Sequence, residues 1–220
     1  MTYPNGSTMN VDQPLMLPRA ILFDMDGTLT QPLLDFDQIR RDIGIGNGPI
    51  LESIKKMSLA DRTVAERILH SHEDRAAEQS TLNPGCRELL QRVEDAGIRS
   101  ALVTRNTRRS VDTVFRRHGL HFAVCVTRED GKYKPDPDPL RLACERLNVS
   151  TRDAWMVGDG YHDIEAAVAA GMPAIWISHG RERNFTATPT RVVRDLLHMI
   201  ELLGEMSGDH GGLSCVDRSH

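Results

Sequence analysis

Ala20-Ile21-Leu22-Phe23-Asp24-Met25-Asp26-Gly27-Thr28 is the segment that indicates the architecture of this chain. Its first four residues form an uninterrupted apolar run, which is typical of a short strand buried on both faces. Two carboxylates and a glycine follow at once, so the strand passes directly into a polar turn. The segment therefore predicts a buried strand that ends in a pair of acidic side chains.

Similar apolar segments recur downstream of Asn83-Pro84-Gly85, with helices between them. Apolar runs predict strands over 98–103, 122–126, 154–157 and 174–177. Apolar residues at helical spacing, several followed by a glycine, predict helices over 86–96, 108–118, 139–147, 163–170 and 193–203. Apolar strands that alternate with helices indicate a parallel sheet covered on both faces. We therefore expect an α/β fold with a three-layer, Rossmann-like core.

Residues 33–82 interrupt this alternation. They carry apolar residues at helical intervals and no convincing strand. The break at Gly44–Pro49 is interpreted as a turn between two helices, and the alternative is a substrate loop at Gly44–Gly48. We expect a small α-helical cap domain inserted after the first strand. The remaining expected units are a core domain over 18–32 and 83–203, a mobile N-terminal tail over 1–17 and a loose C-terminal tail over 204–220.

Composition excludes several classes of protein. The 220 residues are 40% hydrophobic and 26% charged, with 27 Lys plus Arg against 31 Asp plus Glu and a net charge of −4. A mildly acidic chain does not favour a nucleic-acid partner. No apolar run approaches the roughly 20 residues that span a bilayer, and the first residues do not resemble a secretory signal. The four cysteines are widely spaced, so we expect a reduced, cytoplasmic protein without a disulfide framework.

Acidic side chains follow two of the predicted strands. Asp24 and Asp26 follow the first strand, and Asp159 follows the strand at 154–157, with Asp163 one helical turn further. In parallel sheets, ligands bind beyond the carboxyl ends of the strands, where these residues would meet. Adjacent carboxylates repel each other unless a cation or a shared proton lies between them. An all-oxygen set of this kind suits Mg²⁺.

Two further residues are candidates for binding an anion at the same edge. Thr104 ends the strand at 98–103 and precedes a helix, where its hydroxyl and nearby amides can hold phosphate oxygens. Lys134 can supply a positive charge, in a loop stiffened by Pro135 and Pro137. Together with the carboxylates, these residues point to phosphate chemistry.

The chain resembles the haloacid dehalogenase superfamily, specifically its Mg²⁺-dependent phosphatases with an inserted helical cap. This branch includes phosphoglycolate phosphatases and β-phosphoglucomutases. Four motifs carry the resemblance, in the family's order: DMDGTLT, the Thr of LVTRN, the Lys of GKYKPDP, and GDGYHDIEAA. Each follows a predicted strand or lies in the expected loop. The resemblance covers about residues 19–203.

The resemblance implies roles for the four carboxylates. Asp24 matches the nucleophile that forms an aspartyl-phosphate, and Asp26 matches the acid/base that protonates the leaving oxygen and then activates water. Asp24 and Asp159 would give carboxylates to Mg²⁺, and Asp26 its backbone carbonyl. Asp163 would bind the ion directly or hold one of its waters. True dehalogenases lack the second aspartate, so Asp26 separates this chain from them.

The resemblance also implies a substrate site. Thr104 and Lys134 would bind the phosphoryl oxygens, and Arg105 and Asn106 would assist through backbone amides or supporting contacts. The basic residues of the insertion are interpreted mainly as a solvated surface, although one or two could contact a second anionic group: Arg40, Arg41, Lys55, Lys56, Arg62, Arg67 and Arg75.

The expected activity is that of a phosphatase for a small phosphorylated metabolite, with a phosphoglycolate-like or sugar-phosphate substrate, as a monomer or homodimer. Two alternatives stay open. A phosphomutase of the β-phosphoglucomutase type shares every motif and returns the phosphoryl group to a sugar instead of to water. A non-catalytic module that binds Mg²⁺ and phosphate would keep the fold without turnover.

Overall fold

The computed structural model describes residues 15–182 and 185–207 and has a parallel sheet at its centre. The sheet has six strands: β1 (Ala20–Phe23), β2 (Arg99–Val103), β3 (Val124–Val126), β4 (Ala154–Gly158), β5 (Ala174–Ile177) and β6 (Arg191–Val193). Their spatial order is β3-β2-β1-β4-β5-β6, and every neighbouring pair is parallel. The predicted α/β class is confirmed.

Helices cover both faces of the sheet because the strand side chains alternate between the two. Ile21 and Phe23 contribute to one buried cluster, and Ala20 and Leu22 contribute to another. The first cluster includes residues of α4 (Cys86–Asp95), α5 (Arg108–His118) and α8 (Leu196–Ser207). The second includes residues of α6 (Asp138–Leu147) and α7 (Tyr161–Ala170). The core therefore has the expected three layers.

The central strand β1 sets the position of the site. It pairs with β2 on one side and with β4 on the other, so the strand order reverses direction around it. Such a switch point opens a crevice beyond the carboxyl ends of the strands. The residues after β1, β2 and β4 enter this crevice.

The insertion folds as three helices: α1 (Phe36–Ile43), α2 (Ile50–Lys55) and α3 (Leu59–Gln79). The predicted turn at Gly44–Pro49 is confirmed, because it separates α1 from α2. A second break, which was not predicted, separates α2 from α3; there Ser58 caps α3 and accepts a hydrogen bond from the backbone N–H of Asp61. Gly44 ends α1 in the left-handed conformation. Five buried residues give the helices a small core of their own: Ile39, Ile50, Ile54, Ala65 and Leu69.

The C-terminal part corrects two further predictions. Val193 ends strand β6 instead of starting a helix, and α8 begins at Leu196. The Asp195 carboxylate accepts a hydrogen bond from the backbone N–H of His198, which fixes the start of α8. Residues 204–207 are helical and are not part of a loose tail; the remainder of that predicted tail lies outside the described residues.

The predicted N-terminal tail lies mostly outside the described residues. Residues 15–17 have no regular secondary structure, and Leu15 is partly buried against the core. None of the described helices has the length and apolar character needed to cross a membrane. Cys86, Cys125 and Cys144 are free thiols, whereas Cys215 falls outside the described part of the chain.

Candidate active site

Three carboxylates converge at the carboxyl ends of β1 and β4. Asp24 directly follows β1, Asp159 directly follows β4, and Asp163 lies in the first turn of α7. One oxygen of each lies within 4.8 Å of the others. The backbone N–H of Gly160 donates to Oδ2 of Asp163 at 3.0 Å, which orients that carboxylate. Oxygen ligands at this spacing fit a single Mg²⁺ ion.

Lys134 joins two of these carboxylates. Its Nζ donates to Asp24 Oδ1 at 2.7 Å, to Asp163 Oδ1 at 2.6 Å and to the backbone carbonyl of Val103 at 2.6 Å. The lysine side chain is only 1% exposed, so the charged amine is held in place by three acceptors. Lys134 therefore places a fixed positive charge beside Asp24.

Two glycines allow the backbone to approach the carboxylates closely. A Cβ atom on Gly27 would lie 2.5 Å from Oδ2 of Asp159, and one on Gly158 would overlap the carboxyl group of Asp163. Gly27 also has a φ of +81°, a conformation that L side chains rarely adopt. The turn after β1 therefore requires glycine at position 27 for two reasons.

Asp26 lies in the turn after β1 and is contacted by two polar side chains. The side-chain amide of Asn106 donates to its Oδ2, and the Thr30 hydroxyl lies 3.5 Å from its Oδ1. The Thr104 hydroxyl accepts a hydrogen bond from the backbone N–H of Asn106 at 3.2 Å and is buried. Asn106 thus has a positioning contact with Asp26 in addition to its predicted place at the substrate site.

Burial and charge interactions shift the pKa values of the carboxylates and of Lys134. Burial, together with the negative charges of Asp163 and Asp159, raises the pKa of Asp24 well above its usual value, although Lys134 opposes the shift. Burial also raises the pKa of Asp26 and that of Asp159. Burial alone would lower the pKa of Lys134, but the adjacent Asp163 and Asp24 raise it. The charge of Lys134 does not fully offset the negative charges of the carboxylates, so the cluster favours the binding of a cation.

All eight residues predicted for the site line one cavity of about 720 Å³: Asp24, Asp26, Thr104, Arg105, Asn106, Lys134, Asp159 and Asp163. The insertion provides much of the remaining lining, including Arg40 and Gly48. The other six basic residues of the insertion do not border this cavity. The structure therefore brings the predicted residues together beneath the inserted helices.

The Arg105 side chain reaches the insertion instead of the carboxylates. Its Nη2 donates to both carboxylate oxygens of Glu52 on α2 at 3.0 Å, and its Nη1 lies 2.7 Å from Nδ1 of His162. Burial, with Arg105 and Lys134 nearby, lowers the pKa of His162 to about 3. His162 is therefore neutral at pH 7 and does not act as a cation.

Comparison with known proteins identifies the family. The model for haloacid dehalogenase-like hydrolases matches residues 33–177. The chain belongs to the haloacid dehalogenase-like hydrolase family. It is 30% identical over 187 residues to a phosphoglycolate phosphatase of Cupriavidus necator, a match that covers 73% of this chain and 81% of that protein.

Two more comparisons, one of sequence and one of fold, agree with this result. A haloacid dehalogenase-like hydrolase domain-containing protein of Arabidopsis thaliana is 30% identical over 158 residues, which cover 66% of this chain and 64% of that protein. The solved structure of a hydrolase from Pseudomonas syringae has a TM-score of 0.75 at 20% identity, covering 85% of this chain and 98% of the other. The latter likeness shows the fold.

Sequence reasoning missed two residues of this hydrolase's site. Arg181 Nη2 donates to Oδ2 of Asp159 at 3.0 Å, and His179 Nε2 donates to the backbone carbonyl of Gly27 at 2.6 Å. Both follow β5, so examining the end of every predicted strand would have found them.

A buried ion pair next to the cavity was also missed. Glu73 on α3 binds Arg128, which follows β3, with Nη2 to Oε2 at 2.8 Å. The two side chains are 5% and 10% exposed. The pair attaches the longest helix of the insertion to the core.

Proposed function

We propose that this hydrolase is a Mg²⁺-dependent phosphatase that acts on a small phosphorylated metabolite through an aspartyl-phosphate at Asp24. The observation that carries the proposal is the placement of Asp24 beside a buried lysine and two further carboxylates: Lys134 Nζ is 2.7 Å from it, and the ligand oxygens of Asp159 and Asp163 lie within 4.8 Å. A carboxylate can approach a phosphate dianion only where both negative charges are offset.

Asp24, Asp159 and Asp163 would hold Mg²⁺ through carboxylate oxygens, and Asp26 through its backbone carbonyl. Bound there, Mg²⁺ would supply positive charge that offsets the repulsion between the nucleophile and the phosphoryl oxygens. The Lys134 ammonium, 2.7 Å from Asp24, supplies the same kind of charge. Thr104 and backbone amides after β2 would hold the phosphoryl oxygens.

The reaction has two halves. In the first, an Asp24 oxygen forms a bond to phosphorus while the bond to the leaving oxygen breaks, and Asp26 gives a proton to that oxygen. In the second, Asp26 takes a proton from water, whose oxygen attacks phosphorus and releases Asp24 and inorganic phosphate. Burial raises the pKa of Asp26, which favours the protonated form that the first half needs.

Family likeness supports phosphoglycolate-like or sugar-phosphate substrates. One specific observation favours the alternative of a phosphomutase: the Asp24 side chain is 13% exposed, so a phosphoryl group on it would be partly shielded from water. Analysis of the products distinguishes the two, because a phosphatase releases inorganic phosphate and a mutase an isomeric phosphate ester.

The test is phosphate release from a broad panel of phosphorylated metabolites, with and without Mg²⁺, by the wild-type protein and by Asp24→Asn. We expect release that requires Mg²⁺ and falls by a factor of about 10³ or more in the variant. Folded protein that binds Mg²⁺ but turns over no ester would support the non-catalytic module instead.

A further inference from the structure

The cavity has a charged part and an apolar part. The carboxylates, Thr104 and Lys134 form the charged part at the ends of the strands. The insertion contributes an apolar wall, which consists of Leu34, Phe36, Pro49, Ile50, Leu51 and Leu69. Phe36 is 53% exposed, so much of its ring surface is accessible to a ligand. A substrate whose phosphoryl group lies among the carboxylates would place its leaving group near this apolar wall.

The cavity is also large for the smallest candidate substrates. Its volume of about 720 Å³ falls within the range of roughly 300–1,000 Å³ found for pockets that enclose drug-sized ligands. Glycolate, as a leaving group, has only two carbon atoms and would leave most of the apolar wall in contact with water. The size of the cavity therefore favours a leaving group larger than glycolate.

Among the described residues, each basic side chain that lines the cavity already has an anionic partner. Lys134 binds Asp24 and Asp163, and Arg181 binds Asp159. On the side of the insertion, Arg105 binds both oxygens of Glu52, while Arg40 binds Asp37 at 2.7 Å and the Gly48 carbonyl at 3.1 Å.

A second anionic group on the substrate would therefore have to compete with an anionic partner that is already bound. To bind Arg105 it would have to displace Glu52, and the lining also includes the buried carboxylate of Glu73. Moving a carboxylate out of water without a partner is costly. The pairing of Glu52 with Arg105 thus acts against leaving groups that carry a carboxylate.

We propose that the leaving group of the substrate is uncharged, larger than glycolate and apolar on at least one face, and that Glu52 is a specificity-determining residue because it occupies Arg105. This inference rests on the proposed phosphatase function. Of the two substrate types supported by family likeness, it sets phosphoglycolate aside and keeps phosphate monoesters, such as sugar phosphates, whose leaving group packs on the wall that includes Phe36.

The experiment compares three phosphate compounds with Mg²⁺ present. Benzyl phosphate and 4-carboxybenzyl phosphate differ by one carboxylate on a ring of the same size, and acetyl phosphate has neither a ring nor a carboxylate. We expect kcat/KM for benzyl phosphate to exceed that for its carboxylated partner by about tenfold or more. Turnover of acetyl phosphate tests phosphoryl transfer to the protein without a contribution from contacts between a ring and the apolar wall.

Variants then test the named residues. In Glu52→Gln, Arg105 loses its carboxylate partner, so the preference for the uncharged ester should shrink by about tenfold. Asp74→Asn is the matched control, because it removes an exposed ion pair with Arg109 away from the cavity and should keep the wild-type preference. Phe36→Ala should lower kcat/KM for benzyl phosphate about fivefold more than for acetyl phosphate.

The possible failures are distinguishable. Turnover of acetyl phosphate together with equal or better turnover of the carboxylated ester would overturn the inference and leave the phosphatase function intact. An unchanged preference in Glu52→Gln would overturn the role of Glu52. No turnover of any of the three compounds would overturn the phosphatase function and this inference with it.

Discussion

Gly27 shows how a single residue gives the carboxylate cluster its geometry. Its backbone lies against the Asp159 carboxylate, and its carbonyl accepts the hydrogen bond from His179. A side chain here would push Asp159 away from Asp24 and Asp163. The position of Asp159, a proposed metal ligand at the end of β4, therefore depends on the absence of a Cβ atom at Gly27, in the turn after β1.

Gly27→Ala should lower phosphate release about 100-fold or more and weaken Mg²⁺ binding, because the methyl group displaces Asp159. Gly171→Ala is a matched control: Gly171 has a similar φ of +70°, with nothing within 4 Å of an added Cβ. Both variants should lose about 1–2 kcal/mol of stability from the left-handed backbone. Mg²⁺ titration and chemical unfolding measure the two effects, and equal activity losses in both variants would contradict this account.

The residues that meet in the cavity were predictable, whereas most of their partners were not. Asp24, Asp26, Asp159 and Lys134 belong to short motifs that resemble those of a known family, and the structure brings all four into one cavity. Their chemical roles stay predictions. Partners such as Glu52 for Arg105 come from an inserted helix, and nothing local in the sequence specifies that pairing. Side chains that meet through packing of distant elements require the structure.

At the scale of elements, strand length governed what could be predicted. Strands β1, β4 and β5 are wholly buried apolar runs, which periodicity detects easily. Strand β6 has three residues at the sheet edge, and only Val193 is buried. No strand was predicted there, and Val193 was assigned to the helix predicted over 193–203. The start of α8 depends on the Asp195 cap, a signal that was present in the sequence.

Helix α3 of the insertion is fixed to the core by the buried Glu73–Arg128 pair. Arg128→Met leaves the Glu73 carboxylate buried without this partner and should cost about 3–5 kcal/mol at pH 7. Asp74→Asn, which removes a mostly exposed pair between α3 and α5, should cost at most about 1 kcal/mol. Urea unfolding of both variants measures the difference, and similar costs would show that burial of the pair is unimportant.

The cost of Arg128→Met should depend on pH. Burial raises the pKa of Glu73 above its ordinary value of 4.5 despite the opposing effect of Arg128. A carboxyl group whose pKa is higher in the folded than in the unfolded state stabilises the fold fully below its unfolded-state pKa, here 4.5. This stabilisation is lost as the pH rises through the higher, folded-state pKa. Since the variant removes the cation, it raises this pKa further, and its destabilisation should decrease between pH 7 and about pH 5. A constant cost over that interval would contradict the prediction.

At the scale of the whole molecule, the alternation of strands and helices predicted the core, and the long interruption predicted a helical insertion. The attachment of that insertion was not predictable. Helix α3 is held by a buried ion pair. Helix α2 contacts the core through the Glu52–Arg105 pair, whose side chains are 31% and 18% exposed, and through Lys55, whose Nζ lies 4.2 Å from the centre of the Tyr133 ring. Because α3 is attached to the core more firmly than α2, we expect α2 to be the more mobile helix.

We expect α1 and α2 to act as the mobile lid while α3 stays on the core. Hydrogen exchange should slow in residues 36–55 when Mg²⁺ and a phosphate analogue are added, because closure excludes water from the cavity. Exchange in the buried part of α3, residues 65–77, should change little. Equal changes in all three helices would indicate that the insertion moves as one body, and no change in any would indicate that it does not move.

The most direct test of the account is the location of the phosphoryl group during turnover. The Asp26→Asn variant lacks the group that activates water, so we expect it to accumulate a covalent phosphoryl adduct after reaction with acetyl phosphate and Mg²⁺ and an acid quench. Mass spectrometry should find the mass of one phosphoryl group on the peptide that contains Asp24, and no adduct when Asp24→Asn is added to the variant. A phosphoryl group on another residue, or phosphate release at the wild-type rate by a protein without Asp24, would contradict the central claim.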